Sequence, residues 1–236
     1  MKRIIFISLF FYFYGFVNAQ WEVVFDDPDY RFHGIGFINS DTGFAAGDYH
    51  PEGQHYGFIM KTVDGGDSWN LVYQTQPGYA EPTTFSFVND TLMFAGGWDG
   101  VLFKSIDGGN TWEMFSYIPY LWNIRSIKFL TPELGYARDE RTSDGGYTWE
   151  DTGLGWLHDH HFFNDSTGIL STVDGLFYTS DFGESMTKVD PYEDEWFNTV
   201  SMGTDYYGIA ARSNGNLYKT NDGGLSWYWY DSIQFI

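Results

Sequence analysis

The sequence contains no cysteine and few basic residues. Of its 236 residues, 12 are Lys or Arg and 32 are Asp or Glu, which gives a formal net charge of −20 at pH 7. Without cysteine the chain forms no disulfides and cannot be a lipoprotein, so its stability has to come from a hydrophobic core, which is feasible at this length. A surface this acidic repels phosphate backbones, which argues against nucleic acid as a partner.

Long apolar runs are missing everywhere except at the N-terminus. Lys2 and Arg3 precede an apolar run over residues 4–13, and small residues at 17–19 (VNA) precede Gln20. This arrangement is typical of a signal peptide over 1–19, followed by one domain over 20–236, and it predicts a secreted, periplasmic or cell-surface protein. Cleavage of residues 1–19 would remove Lys2 and Arg3 and so lower the net charge to −22. An uncleaved anchor is the alternative, but the run is short for a span of ~20 residues, so no membrane-spanning segment is expected.

One eight-residue pattern occurs five times along the chain. Residues 62–69 read TVDGGDSW, and related copies stand at 105–112 (SIDGGNTW), 142–149 (TSDGGYTW), 179–186 (TSDFGESM) and 220–227 (TNDGGLSW). The aspartates of the five copies are Asp64, Asp107, Asp144, Asp181 and Asp222, at steps of 43, 37, 37 and 41 residues. A period near forty residues indicates a repeat architecture.

Each copy has the composition of a tight hairpin. The aspartate can accept hydrogen bonds from backbone N–H groups two residues on, and the following glycine can adopt positive φ. In four copies a tryptophan then begins the next strand with a large apolar surface; these are Trp69, Trp112, Trp149 and Trp227. The sequence therefore assigns structural roles to these aspartates and tryptophans.

The pattern S/T-x-D-x-G-x-S/T-W resembles the Asp-box, or bacterial neuraminidase repeat. Asp-boxes occur in the β-propellers of sialidases, xyloglucanases, sortilin-type receptors and photosystem II stability/assembly factor-like proteins. The resemblance runs from about residue 21 to the C-terminus, although Phe182 and Met186 degrade the fourth copy. The stretch FINSDTGFAAG at 37–47 looks most like the assembly factor-like group, without implying a role in photosystem assembly. The resemblance implies an all-β propeller, but the box is shared by enzymes and binding proteins.

Four strands fit within each repeat. Apolar strands precede each box, and the resulting five blades are expected near 32–76, 82–118, 124–153, 158–190 and 197–236. The stretch WEVVF at 21–25 resembles the strand that follows a box, so we expect the chain ends to meet and this strand to seal the last blade. Blade 1 carries an insertion over 48–55, and the third hairpin is short. A fragment of a larger ring is the alternative.

The loops opposite the boxes carry unusual aromatic residues. A ligand-binding face is predicted there, rimmed by acids such as Asp48, Asp139, Asp159 and Glu195. The alternative is that about half of these aromatics pack between blades. The candidates are Tyr30, Trp98, Tyr120, Trp122, Trp156 and Trp196.

The HDHH run at 158–161 has the residue types of a metal site. On a strand, His158 and His160 face one way and Asp159 and His161 the other, so the four cannot all converge. A metal site here would need His33, or the loop of His50 and His55, to join. We therefore expect these histidines to be partly buried and hydrogen-bonded within the protein, and we predict neither a metal nor a cofactor.

Two functions are consistent with the resemblance. The first is a non-catalytic module that binds a protein, peptide or glycan, which requires no catalytic residues. An adhesive or spacer role is a variant of this function. The alternative is a glycoside hydrolase, which needs two carboxylates across the scissile bond. The arginines after residue 19 do not match a sialidase arrangement; they are Arg31, Arg125, Arg138, Arg141 and Arg212. The oligomeric state is left open.

Overall fold

The computed structural model describes residues 23–164, 166–181, 183–190 and 196–232, which form five four-stranded antiparallel sheets. Blade 1 contains β1 (Tyr30–Phe37), β2 (Gly43–Tyr49), β3 (Tyr56–Thr62) and β4 (Asn70–Gln74). Blade 2 contains β5 (Pro82–Phe87), β6 (Met93–Gly97), β7 (Val101–Ser105) and β8 (Glu113–Tyr117). Blade 3 contains β9 (Ile127–Phe129), β10 (Gly135–Ala137), β11 (Glu140–Thr142) and β12 (Glu150–Asp151). Blade 4 contains β13 (Leu157–Phe162), β14 (Gly168–Thr172), β15 (Gly175–Thr179) and β16 (Thr187–Lys188). Blade 5 contains β17 (Phe197–Met202), β18 (Gly208–Arg212), β19 (Asn216–Thr220) and β20 (Tyr228–Ser232).

These sheets confirm the predicted five-bladed, all-β propeller fold. Within each blade the strands pair in sequence order, so every loop between them is a hairpin connection. The insertion of blade 1 forms a 3-10 turn, Pro51–Gly53, between β2 and β3. Blade 3, whose hairpin is short, forms a third strand of three residues with no apolar side chain, Glu140–Thr142. Among the described residues, no helix is long and apolar enough to span a bilayer.

The N-terminal stretch does not extend the last blade over the residues that are described. Val23, Val24 and Phe25 lie outside any strand, and Phe25 instead packs edge-on against Tyr30 and Phe32. The predicted sealing strand is therefore not formed by these three residues. The signal peptide and Trp21 lie outside the described residues.

In blades 1 to 4, a large side chain on the second strand packs against the next blade. Phe44, Phe94, Tyr136 and Ile169 occupy equivalent positions on β2, β6, β10 and β14, and each is at most 1% exposed. Phe94, for example, stacks on Phe129 of blade 3 with ring centroids 3.6 Å apart. The core is thus built between consecutive blades.

The outer faces of blades 1 and 5 lack this cover within the described structure. Ile209 occupies the equivalent position on β18 but is 48% exposed. On the opposite face of blade 1, Ile35 is 68% exposed and Phe37 43% exposed. These two faces differ from the four covered junctions.

The aspartates of the repeated hairpins accept hydrogen bonds, but their backbone donor lies four residues later and not two, because the N–H two residues on donates to the preceding Ser or Thr hydroxyl. In the second copy, Asp107 Oδ1 accepts from the Ser105 hydroxyl at 2.9 Å and from the Thr111 N–H at 2.9 Å, while Oδ2 accepts from the Thr111 hydroxyl at 2.6 Å. The backbone N–H of Gly109 donates to Ser105 Oγ at 2.9 Å. Gly109 has a φ of +75°, and a side chain here would also overlap the Phe44 ring of blade 1. Glycine is therefore required at this position.

The other four hairpins repeat this network. Their aspartates, Asp64, Asp144, Asp181 and Asp222, each accept from the hydroxyl four residues later at 2.5–2.6 Å. The fourth hairpin keeps these bonds although Met186 replaces tryptophan. Trp112 and Trp227 are 7% and 3% exposed, and Trp149 and Trp227 donate from Nε1 to the carbonyls of Gly146 and Gly224. Trp69 is half-buried against Phe37, at 6.2 Å between ring centroids.

We expect Asp107→Ala to lower the free energy of unfolding by about 1–3 kcal/mol at neutral pH through lost turn hydrogen bonds, towards the lower end because solvent screens this exposed carboxylate. The Thr111 hydroxyl is the main cause that lowers the pKa of Asp107 from 3.8 to about 2. Because the unfolded state binds the proton more readily, this stabilisation is present above about pH 4 and is lost as pH falls through 2. Urea unfolding of both proteins from pH 6 to pH 2 should show their difference shrinking. A difference that stays constant to pH 2 would contradict this linkage.

Candidate binding site between the blade loops

The same backbone hydrogen bond recurs at one end of every blade. The N–H of the residue after the second strand donates to the carbonyl of the residue before the first strand. The pairs are His50 to Asp29 (2.8 Å), Trp98 to Glu81 (3.0 Å), Arg138 to Ser126 (3.3 Å), Val173 to Trp156 (3.1 Å) and Ser213 to Trp196 (3.4 Å). Because this bond ties each loop to the adjacent connection between blades, the side chains of both segments are held together at this end, which we call the mouth face.

A cavity of about 560 Å³ opens at the mouth face, and residues of blades 2, 3, 4 and 5 line it. Three of the predicted aromatic residues, Trp98, Trp122 and Trp156, line it. The remaining described lining residues are Asn123, Arg125, Ser126, Arg138, Leu157, His158 and Asn198. The cavity is therefore assembled from several blades rather than from one loop.

Backbone bonds fix the tryptophans while leaving their rings accessible. The Trp122 carbonyl accepts from the Asp99 N–H at 2.8 Å, and Trp98 forms a β-bridge with Asn123. Trp98, Trp122 and Trp156 are 38%, 78% and 59% exposed. Large aromatic rings on an anchored backbone can stack on a ligand with little loss of conformational entropy.

Two arginines supply the positive charge of the cavity. Arg125 is exposed and Arg138 is half-buried, with its Cζ atom 5.0 Å from the centroid of the Trp156 ring. Neither arginine forms an ion pair with another residue that the structure describes. A planar guanidinium group binds a carboxylate through two parallel hydrogen bonds, so both side chains can receive an acidic group.

The other three predicted aromatics lie outside the cavity lining. Trp196 is 55% exposed, and its ring centroid is 6.3 Å from that of His158, so it stands beside the cavity. Tyr120 is 99% exposed and does not line the cavity. Tyr30 stacks on Tyr49 at 4.3 Å between ring centroids, so it packs within blade 1 and not between blades.

The predicted acidic rim is not found in the described lining. Asp159 Oδ2 accepts from the Thr199 hydroxyl at 2.5 Å and the Val200 N–H at 3.1 Å, so it joins blade 4 to blade 5. Asp48 is buried in contact with His33, and Asp139 does not line the cavity. Glu195 lies outside the described residues. Arginines, and not carboxylates, give the described cavity its charge.

The HDHH histidines engage separate partners. His158 Nδ1 lies 2.9 Å from the Phe197 carbonyl, and His160 Nδ1 lies 3.1 Å from Ser126 Oγ. Burial lowers the pKa of His160 to about 4, so its imidazole is neutral near pH 7. His161 packs against Phe163. The four residues do not converge, in agreement with the alternation expected on a strand.

Sequence reasoning did not assign Arg125 and Arg138 to the site. A signal was nevertheless present, because alignment of the repeats places Arg138 at the position that Trp98 occupies in blade 2. Arg125 lies three residues after Trp122 in the same connection. The composition of the cavity depends on which blades meet, which a single repeat does not reveal.

Solved structures show similarity to this fold, whereas no protein family model and no curated protein matches the chain. The structure of YCF48 bound to D1 peptide aligns with a TM-score of 0.59 at 18% identity, covering 84% of this chain and 67% of that chain. The GH74 enzyme of Niastella koreensis aligns with a TM-score of 0.65 at 16% identity, covering 84% of this chain and 38% of that chain. At these identities the similarity concerns the fold alone: the chain has a β-propeller fold like that of both proteins.

Proposed function

We propose that this propeller is a non-catalytic binding module that holds a peptide segment carrying a carboxylate in the cavity at the mouth face. The observation that supports this most is the combination of three exposed tryptophans with two arginines that lack a described acidic partner. Exposed rings favour stacking on flat or apolar groups, and guanidinium groups without an acidic partner among the described residues favour an acidic one. The cavity of about 560 Å³ is large enough for a few residues of an extended peptide.

The peptide class has a second source of support. YCF48, one of the propellers that aligns with this fold, has been solved with D1 peptide bound. We propose the same class of ligand here, without extending the identity of that peptide to this chain. We also keep the interpretation of the repeated hairpins as Asp-boxes, because all five preserve the aspartate–hydroxyl network of that pattern.

The glycoside hydrolase alternative receives less support from the cavity. Hydrolysis of a glycosidic bond usually needs two carboxyl groups roughly 5–10 Å apart on either side of it. None of the described lining residues carries a carboxylate, and Asp159 is engaged by blade 5. The GH74 enzyme therefore supports the fold of this chain and not its chemistry.

We further propose that the module acts outside the cytoplasm. This rests on the basic, apolar and small-residue segments over residues 1–19, which lie outside the described part of the structure. N-terminal sequencing of the exported protein tests it, and a mature chain beginning at Gln20 is the expected result.

An array of short peptides, each with a free or an amidated C-terminus, and a glycan array tested in parallel should identify the ligand class. For the best peptide, Trp122→Ala is expected to weaken binding by about 5- to 30-fold, because stacking on an exposed ring contributes on the order of 1–2 kcal/mol. Isothermal titration calorimetry measures the change. The melting temperature should stay nearly constant because Trp122 is 78% exposed.

Tyr120→Ala is the matched control for this substitution. Tyr120 lies in the same connection, is 99% exposed and does not line the cavity, so its removal should leave binding unchanged. Equal losses for the two variants would argue against the cavity as the site. Release of reducing sugar from a glycan would favour the hydrolase.

A further inference from the structure

Five side chains with metal-ligating groups meet at the insertion of blade 1. They are His33, Asp48, His50, His55 and Glu81, which we call the histidine cluster. His33 stands at the register shift between Phe32 and Gly34 in β1, and Asp48 is near the end of β2. His50 and His55 flank the 3-10 turn, and Glu81 precedes blade 2. No local sequence motif contains all five.

Their ligand atoms are close enough to share an ion. Those of His50, His55 and Glu81 lie within 4.8 Å of one another, and so do those of His33, Asp48 and Glu81. The ring centroids of His50 and His55 are 3.7 Å apart, and His55 Nδ1 is 3.6 Å from Glu81 Oε1. Glu81 belongs to both groups, so the two groups form one continuous site.

Asp48 lies between two histidines in the buried part of the cluster. Its Oδ1 atom contacts His33 Nε2, and its Oδ2 atom contacts His50 Nε2. Asp48 is only 3% exposed, so its carboxylate is buried between these two imidazoles. Carboxylates and imidazoles are both ligands of transition-metal ions, and the fold brings them into direct proximity away from solvent.

The charge of the cluster favours a dication. Among the described residues, neither Asp48 nor Glu81 forms an ion pair with a Lys or Arg side chain; their close basic partners are histidines. Metal ligation requires neutral imidazoles, and a set of such imidazoles with two carboxylates has a charge of −2 that a divalent cation would balance.

We propose that the histidine cluster binds one divalent first-row transition-metal ion, with Zn²⁺ as its probe. A set of three imidazoles and two carboxylates suits such an ion, whereas Ca²⁺ and Mg²⁺ prefer oxygen ligands throughout. The proposal is independent of the peptide-binding function, because none of the five residues lines the cavity described above.

Metal binding would fasten the insertion to its neighbours. The ion joins the loop of His50 and His55 to β1 through His33 and to the start of blade 2 through Glu81. The Glu81 carbonyl accepts the N–H of Trp98, so the ion also braces a backbone segment next to the cavity wall. The bound ion would therefore link blade 1 to blade 2.

The test uses the full chain after removal of metal with a chelator. Titration with Zn²⁺ alone is expected to show one equivalent bound with a submicromolar Kd, together with a rise in melting temperature. His55→Gln should weaken binding at least tenfold; His55 has a side chain 55% exposed, so the variant should fold. His50→Gln should weaken it further, and if this variant fails to fold, His55→Gln decides.

His161→Gln is the control, because His161 lies outside the cluster and packs against Phe163. It should bind Zn²⁺ like the wild type. Binding of less than half an equivalent, equal affinity of the wild type and His55→Gln, or displacement of Zn²⁺ by equimolar Ca²⁺ would each overturn the proposal. In the first case the cluster is a hydrogen-bonded network of histidines and carboxylates only.

Discussion

Phe94→Ala is expected to lower the free energy of unfolding by about 3–5 kcal/mol, the usual cost of truncating a fully buried phenylalanine. Phe94 has no exposed surface, stacks on Phe129 at 3.6 Å and lies 5.9 Å from the Phe115 ring. Its removal would leave a void at the junction of blades 2 and 3 that the flanking sheets cannot fill. Urea unfolding at pH 7 measures the loss.

The repeat supplies a matched control for this truncation. Ile209 occupies the equivalent position on β18, but it is 48% exposed. Ile209→Ala should therefore cost less than about 1 kcal/mol. A loss as large as that of Phe94→Ala would mean that blade 5 has a covering partner in solution, and a small loss for both would contradict the blade-to-blade core.

Replacing Arg138 with Gln should weaken binding of a carboxylate-bearing peptide by about 10- to 100-fold. The reason is that a hydrogen bond between two charged groups is worth about 1.5–3 kcal/mol, and glutamine keeps only a neutral donor. Arg138 also packs over the Trp156 ring at 5.0 Å, so the variant changes both the charge and one wall of the cavity. Combining it with Arg125→Gln should nearly abolish binding of the acidic group.

Arg31→Gln controls for the change in net charge. Arg31 is exposed on β1 and does not line the cavity, yet its substitution removes the same single positive charge. Binding to this variant should match the wild type at physiological salt. If Arg31→Gln weakened binding as much as Arg138→Gln, the general charge of the protein, and not the cavity, would govern affinity.

The fold was predictable because its signals are local and repeated. Each hairpin needs only an aspartate, a following glycine and a hydroxyl four residues after the aspartate, and five copies in phase set the number of blades. The tryptophans of the mouth face were also accessible to sequence reasoning, since they stand in loops where no packing role is evident.

The details of the sites depend on contacts between distant segments. Arg125 and Arg138 come from two parts of blade 3, and they join tryptophans of blades 2 and 4 only after the blades pack. The histidine cluster needs a register shift at His33 and a residue before blade 2, Glu81. The HDHH histidines are adjacent in the sequence, but their side chains have separate partners because successive residues of a strand point to opposite faces of the sheet.

The cavity at the mouth face is proposed to recognise a carboxylate without transforming its ligand. The most direct test is the ratio of affinities for one peptide with its C-terminal carboxylate free and amidated, measured by calorimetry with the wild type and with the Arg125→Gln, Arg138→Gln double variant. The wild type should prefer the free carboxylate by about tenfold or more, and the double variant should show a ratio near one. Equal affinity of the wild type for both peptides, or a preference that survives in the double variant, would contradict the account.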